Sequence, residues 1–142
     1  MYKDILLPID LNHESSWEKA LPTTVEYCKA FGATLHVLTV VPDLGLPLVG
    51  GYFPEGFEEK MREEANQRLH AFVSDHVPNG VPVQNIIAEG TPYKEIIRIA
   101  EEIGADLIVM ASHHPGVKDY FLGPTPERVV RHAPLSVLIV RN

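Results

Sequence analysis

Leu107-Ile108-Val109-Met110 is apolar at four consecutive positions. Such a run has no polar face, so it must be buried on both sides, as strands are inside a parallel sheet covered by helices. Residues 5–9, 34–40 and 137–140 share that character, and residues 83–88 make a weaker fifth strand.

Between these runs the apolar period becomes helical. Trp17, Leu21, Thr24, Cys28 and Phe31 recur every three or four residues, as do Phe57, Met61, Ala65, Leu69 and Phe72, and then Tyr93, Ile96, Ile97, Ala100 and Ile103. Gly32 and Gly104 stand where helices end, and Thr91-Pro92 offers a cap followed by proline at the first helical position. Pro22 falls inside the first pattern, which predicts a kink or a helix that starts at Ser16 or later.

The alternation of strands and helices predicts the α/β class, a Rossmann-like three-layer sandwich, because each return to a parallel strand needs a long right-handed crossover. Open sheets of this kind bind ligands at the carboxyl ends of their strands, where the strand order reverses. Function is therefore expected in the loops after the first and fourth strands.

The length of 142 residues and the hydrophobic fraction of 45% suit one domain spanning residues 1–142. Residues 42–56, rich in Gly and Pro, are expected to form a mobile loop beside the ligand edge. With 12 Lys plus Arg against 19 Asp plus Glu, and no basic run, the chain lacks the positive surface that a nucleic-acid partner requires. No apolar stretch approaches the roughly 20 residues that span a bilayer, so no membrane insertion is expected. Met1-Tyr2-Lys3-Asp4 leads straight into a strand pattern without a signal peptide, and the single cysteine, Cys28, fits a reducing compartment and a helix core; together these predict a cytoplasmic protein.

Chemistry-bearing motifs are few. Gly45 to Gly51 imitates P-loop spacing, but Tyr52-Phe53 follows where Lys and Ser or Thr are needed to reach phosphates and metal. Asp10, just past the first strand, can accept hydrogen bonds from ribose hydroxyls or can cap a turn, and the sequence favours neither. Met110-Ala111-Ser112-His113-His114-Pro115-Gly116 leaves the fourth strand, and Leu122-Gly123-Pro124-Thr125 opens the last helix. Small residues after a strand and a helix start with free amides suit an anion; the plainer reading is a strand exit and a cap at Thr125. Adjacent His113 and His114 seldom converge on one metal ion, and His13, His36, His70, His76 and His132 are scattered, so no metal site is expected. No nucleophile elbow is present, and no catalytic residue is assigned.

Three segments together resemble the universal stress protein family: Lys3-Asp4-Ile5-Leu6-Leu7-Pro8-Ile9-Asp10, Glu89-Gly90-Thr91-Pro92, and the tail from Ala105-Asp106 to Val140-Arg141. The tail, with Ala111-Ser112-His113, Leu122-Gly123 and Val129-Val130-Arg131-His132-Ala133, is most similar to the enterobacterial F and G type subgroup. The resemblance implies an adenine nucleotide alpha hydrolase-like fold with sheet order 3-2-1-4-5. It also implies a homodimer, a role in stress survival, and ATP, ADP or AMP at the switch point, with Mg2+ accompanying the phosphates left open. Adenine and ribose would meet Pro8, Ile9, Asp10 and Val40. Phosphates would meet Met110, Ala111, Ser112, His113, His114, Gly116, Gly123, Pro124 and Thr125. Here Ala111 and His114 replace the family's two loop glycines, and Pro124 deletes an amide at the helix start.

Residues 136–140 form an apolar strand whose open edge would invite aggregation, so a homodimer through this strand is expected. Three functions compete. One is a nucleotide-binding stress protein whose occupied site presents the loop at residues 42–56 to an unidentified protein partner. The second is a nucleotide-independent dimeric interaction module of the same fold. The third, an ATP-consuming enzyme, lacks an obvious lysine clamp beyond Lys118, which leaves at most slow hydrolysis.

Overall fold

A computed structural model describes residues 1–41, 56–112 and 125–142. Five strands, β1 (Asp4–Pro8), β2 (Thr34–Val41), β3 (Val83–Glu89), β4 (Leu107–Ala111) and β5 (Ser136–Val140), form one parallel sheet in the order β3-β2-β1-β4-β5. The helices are α1 (Ala20–Phe31), α2 (Phe57–His76), α3 (Pro92–Glu102) and α4 (Thr125–His132), with a short 3-10 turn at Glu14–Ser16. Right-handed crossovers put α1 and α2 on one face and α3 and α4 on the other.

The consecutive apolar runs are buried where the sheet is covered twice. Ile5, Leu6, Leu7, Leu35, Val37, Leu38, Ile108 and Val109 are fully buried. β5 departs from this expectation: Val137 to Val140 are half-buried and Ser136 is exposed, because an edge strand has a neighbour on one side alone.

β1 ends at Pro8 rather than Ile9, since proline has no N–H for the ladder and is tolerated in a central strand only near its ends. Ile9 stays fully buried and donates its N–H to Leu38 O at 2.8 Å. α1 begins at Ala20, so Pro22 lies in the first turn, where amides have no helical partner to lose. Trp17 therefore precedes the helix, with its ring edge-on to Phe72 of α2 at 4.9 Å. Gly32 and Gly104 close their helices at φ 66° and 70°. Thr91 occupies the cap position of α3, but its side chain makes no capping bond; Pro92 at the first helical position sets the turn instead.

Candidate functional site

The switch point falls between β1 and β4, whose register pairs Ile5 with Leu107 and Leu6 with Ile108. Continued by two residues, that register brings Pro8 level with Met110. At this carboxyl end Val40 lies near the end of β2, Ala111 closes β4, and Ser112 donates its N–H to Val140 O at 2.9 Å. Met110 and Ala111 are buried, as is Thr125 at the start of α4. Thr39 fastens β2 to the exit of β1 by donating its hydroxyl to Ile9 O at 3.0 Å.

The residues after β1 form a self-bonded loop. Asp10 Oδ1 accepts the N–H of Asn12 at 2.9 Å, which is an Asx turn. Asp10 Oδ2 lies 3.0 Å from His13 Nδ1, and His13 N–H reaches back to Asp10 O at 3.0 Å. Ser16, 1% exposed, accepts the Asp10 N–H on its hydroxyl oxygen at 2.9 Å. That hydroxyl also lies 2.7 Å from His13 O and 3.0 Å from Asp10 O, to which it offers its one proton. Arg68 of α2 donates from Nη2 to Asn12 Oδ1 at 3.0 Å, and Asn142 donates to Ser15 O at 2.9 Å, so two distant parts of the chain brace the loop.

The turn-forming role of Asp10 is thus present, and the side chain it fixes sits at the tip of β1, 20% exposed. Asn12, His13, Ser16 and Arg68 were not singled out as site residues from the sequence. The pattern Asp-x-Asn with Ser six positions after Asp10 was the available signal. His13, one of several histidines scattered along the sequence, lies 3.0 Å from the Asp10 carboxylate within this loop.

Two surface hollows flank this end. One of about 370 Å3, lined by Ser112, Pro126, Glu127, Val130, Ile139 and Arg141, runs beside α4 and β5. The other, about 400 Å3, is lined by Glu59, Arg62, Glu63, Asn66 and Ile87 between α2 and β3, where Arg62 pairs with Glu89 at 2.5 Å. Its acidic lining does not suit a phosphate. Among the described residues no group of three or more His, Cys, Asp or Glu could hold a metal ion. Burial pushes the Cys28 thiol up to about 11, which keeps it in the un-ionised, unreactive form.

The sequence profile of the universal stress protein family matches residues 1–141. The chain belongs to that family. Universal stress protein G of Escherichia coli O157:H7 is 31% identical over 99% of this chain and 100% of its own length. Universal stress protein MJ0577 of Methanocaldococcus jannaschii superposes with a TM-score of 0.72 at 29% identity, covering 100% of this chain and 97% of that one. A universal stress protein solved in complex with cAMP shares the fold, with a TM-score of 0.62 at 24% identity over 99% of this chain and 97% of the other.

For a universal stress protein the described half of the expected site is Pro8, Ile9, Asp10, Val40, Met110, Ala111, Ser112 and Thr125. His113, His114, Gly116, Gly123 and Pro124 lie outside the described residues, as does all of the expected loop at residues 42–56 except Gly56. Among the described residues no helix is long and apolar enough to cross a membrane.

Proposed function

We propose that this universal stress protein binds an adenine nucleotide, ATP, ADP or AMP, at the carboxyl ends of β1 and β4, and acts in stress response without efficient catalysis. The observation that carries the reading is the Asp10 carboxylate, held at the tip of β1 by Asn12 and His13 beside the point where strand order reverses. Ribose hydroxyls donate to such a carboxylate. Pro8, Ile9 and Val40 would contact adenine and ribose, and Ser112 and Thr125, with His113, His114, Gly116 and Gly123, the phosphates. The protein solved with cAMP lends support, because its fold accommodates an adenine nucleotide. The family and the one cysteine, free and buried, support a cytoplasmic setting. The half-buried outer strand β5, with Val130 of α4 52% exposed beside it, supports a homodimer through that edge.

One observation favours the second reading, a nucleotide-independent interaction module: both Asp10 oxygens already serve the loop, a sufficient structural reason for an aspartate there. Isothermal titration with ATP and AMP, with and without magnesium, separates the two. Micromolar binding, weakened about tenfold or more in Asp10→Ala, is expected. Silence toward every nucleotide, from a correctly folded protein, leaves the interaction module.

A further inference from the structure

β3 is an outermost strand of the sheet, with β2 as its one strand neighbour among the described residues. Leu35 of β2 donates its N–H to Pro82 O at 2.8 Å, and Gly90 donates to Val41 O at 3.1 Å. Successive residues of a strand turn their N–H and C=O to opposite sides, so the even-numbered residues from Pro82 to Gly90 serve β2. Val83, Asn85, Ile87 and Glu89 therefore turn theirs to the open edge.

Proteins guard such an edge with lysine, proline, a bulge or a very short strand. β3 has none of these. It runs Val83-Gln84-Asn85-Ile86-Ile87-Ala88-Glu89 in unbroken register with β2 over all seven residues. Beside it α2 forms one wall of the hollow of about 400 Å3 whose lining includes Ile87. Glu59 and Glu63 lie one helical turn apart on that wall, and Arg62 is taken by Glu89. Among the described residues no ion pair engages Glu59 or Glu63.

A second copy of this chain suits the edge badly. Antiparallel pairing of two β3 edges about a two-fold axis sets the two α2 helices side by side on one face, carboxylates toward carboxylates, in a chain of net charge -7. A lysine or arginine meets the same wall favourably, with its aliphatic stem over Ile87 and its charge at Glu59 and Glu63. We infer that the β3 edge takes an extended, lysine- or arginine-bearing segment of a partner protein as a sixth strand, and that α2 selects the charge of that segment. The inference does not rest on the nucleotide reading.

The probe is a fluorescein-labelled peptide of alternating lysine and threonine, about eight residues long to match β3, followed by anisotropy with the full chain. Micromolar binding that weakens with added salt is expected. A peptide with glutamate in place of lysine, and a lysine peptide N-methylated along its backbone, should each bind about tenfold or more weaker. Glu59→Lys combined with Glu63→Lys should reverse the preference between the lysine and glutamate peptides, with circular dichroism unchanged. The amides of Val83, Asn85, Ile87 and Glu89 should exchange fast in the free protein and about tenfold or more slowly with saturating peptide. The inference is overturned if the lysine peptide does not bind, if N-methylation leaves binding intact, or if the double variant keeps the original preference. It is equally overturned if those four amides are already protected in the free protein, which would mean that the chain itself or a second copy covers the edge.

Discussion

At the amino end of the sheet, polar side chains tie strand to strand. Asp106, just before β4, accepts the N–H of Lys3 at 2.9 Å and of Asp4 at 3.2 Å. Buried His36 on β2 lies 2.9 Å from Asp4 Oδ1 and 2.6 Å from Gln84 Oε1 on β3. At the carboxyl end the ties are instead mostly local, running among Asp10, Asn12, His13 and Ser16. Cross-strand ties resist sliding of one strand past another, whereas local ties fix a loop without committing the strands. With the proposed nucleotide site at the carboxyl end, stability and recognition would fall at opposite ends of the same strands, and substitutions at the two ends should separate them.

The largest effect is expected from His36→Ala at the amino end. Removing a buried ring that bridges three strands leaves Asp4 and Gln84 without their shared partner, a loss of about 2–4 kcal/mol in urea unfolding. Nucleotide affinity should stay within about twofold; a large fall in affinity would erase the division between the ends.

Cys28, on α1 between them, supplies a pH-dependent control. Burial raises its pKa from 9.0 to about 11, so the thiolate is favoured in the unfolded chain. Its contribution to stability is intact below pH 9.0 and is lost as pH rises from there to about 11. Relative to Cys28→Ala, the unsubstituted protein should lose as much as about 2.7 kcal/mol across that window, followed by denaturant titration.

Ser16→Ala should have the smallest effect on stability, about 1–2 kcal/mol, because its bonds are confined to one loop. Its effect on ligand should be the larger one: with the Asp10 N–H unpaired and the loop relaxed, ATP binding should weaken severalfold in titration. Unchanged binding would detach the loop from recognition.

Much of this division could be read in the chain before folding. Residues 5–7 of β1, 37–38 of β2 and 107–111 of β4 are apolar without alternation because helices cover both faces, and that pattern is visible in one dimension. β5 has the same pattern yet is half-buried, since an apolar sequence does not record which strand ends at an edge. Phe31 completes the period of α1 but is 39% exposed at the helix end, where it meets Tyr2 edge-on at 5.7 Å. At the site, Asp10 was legible from its place after a strand. Its partners His13 and Ser16 were not, because their roles depend on the backbone folding back within one loop, and hydropathy carries no trace of that geometry.

The pairing of Ile5 with Leu107 also orders events in time. During synthesis β1 leaves the ribosome first, and β2 can dock on one of its flanks early, after a single helix. The other flank stays uncovered until Leu107 and Ile108 emerge, and Asp106 must arrive before Lys3 and Asp4 are secured. Ile5, Leu6 and Leu7, fully buried in the finished molecule, thus keep one flank open in the nascent chain until β4 is made.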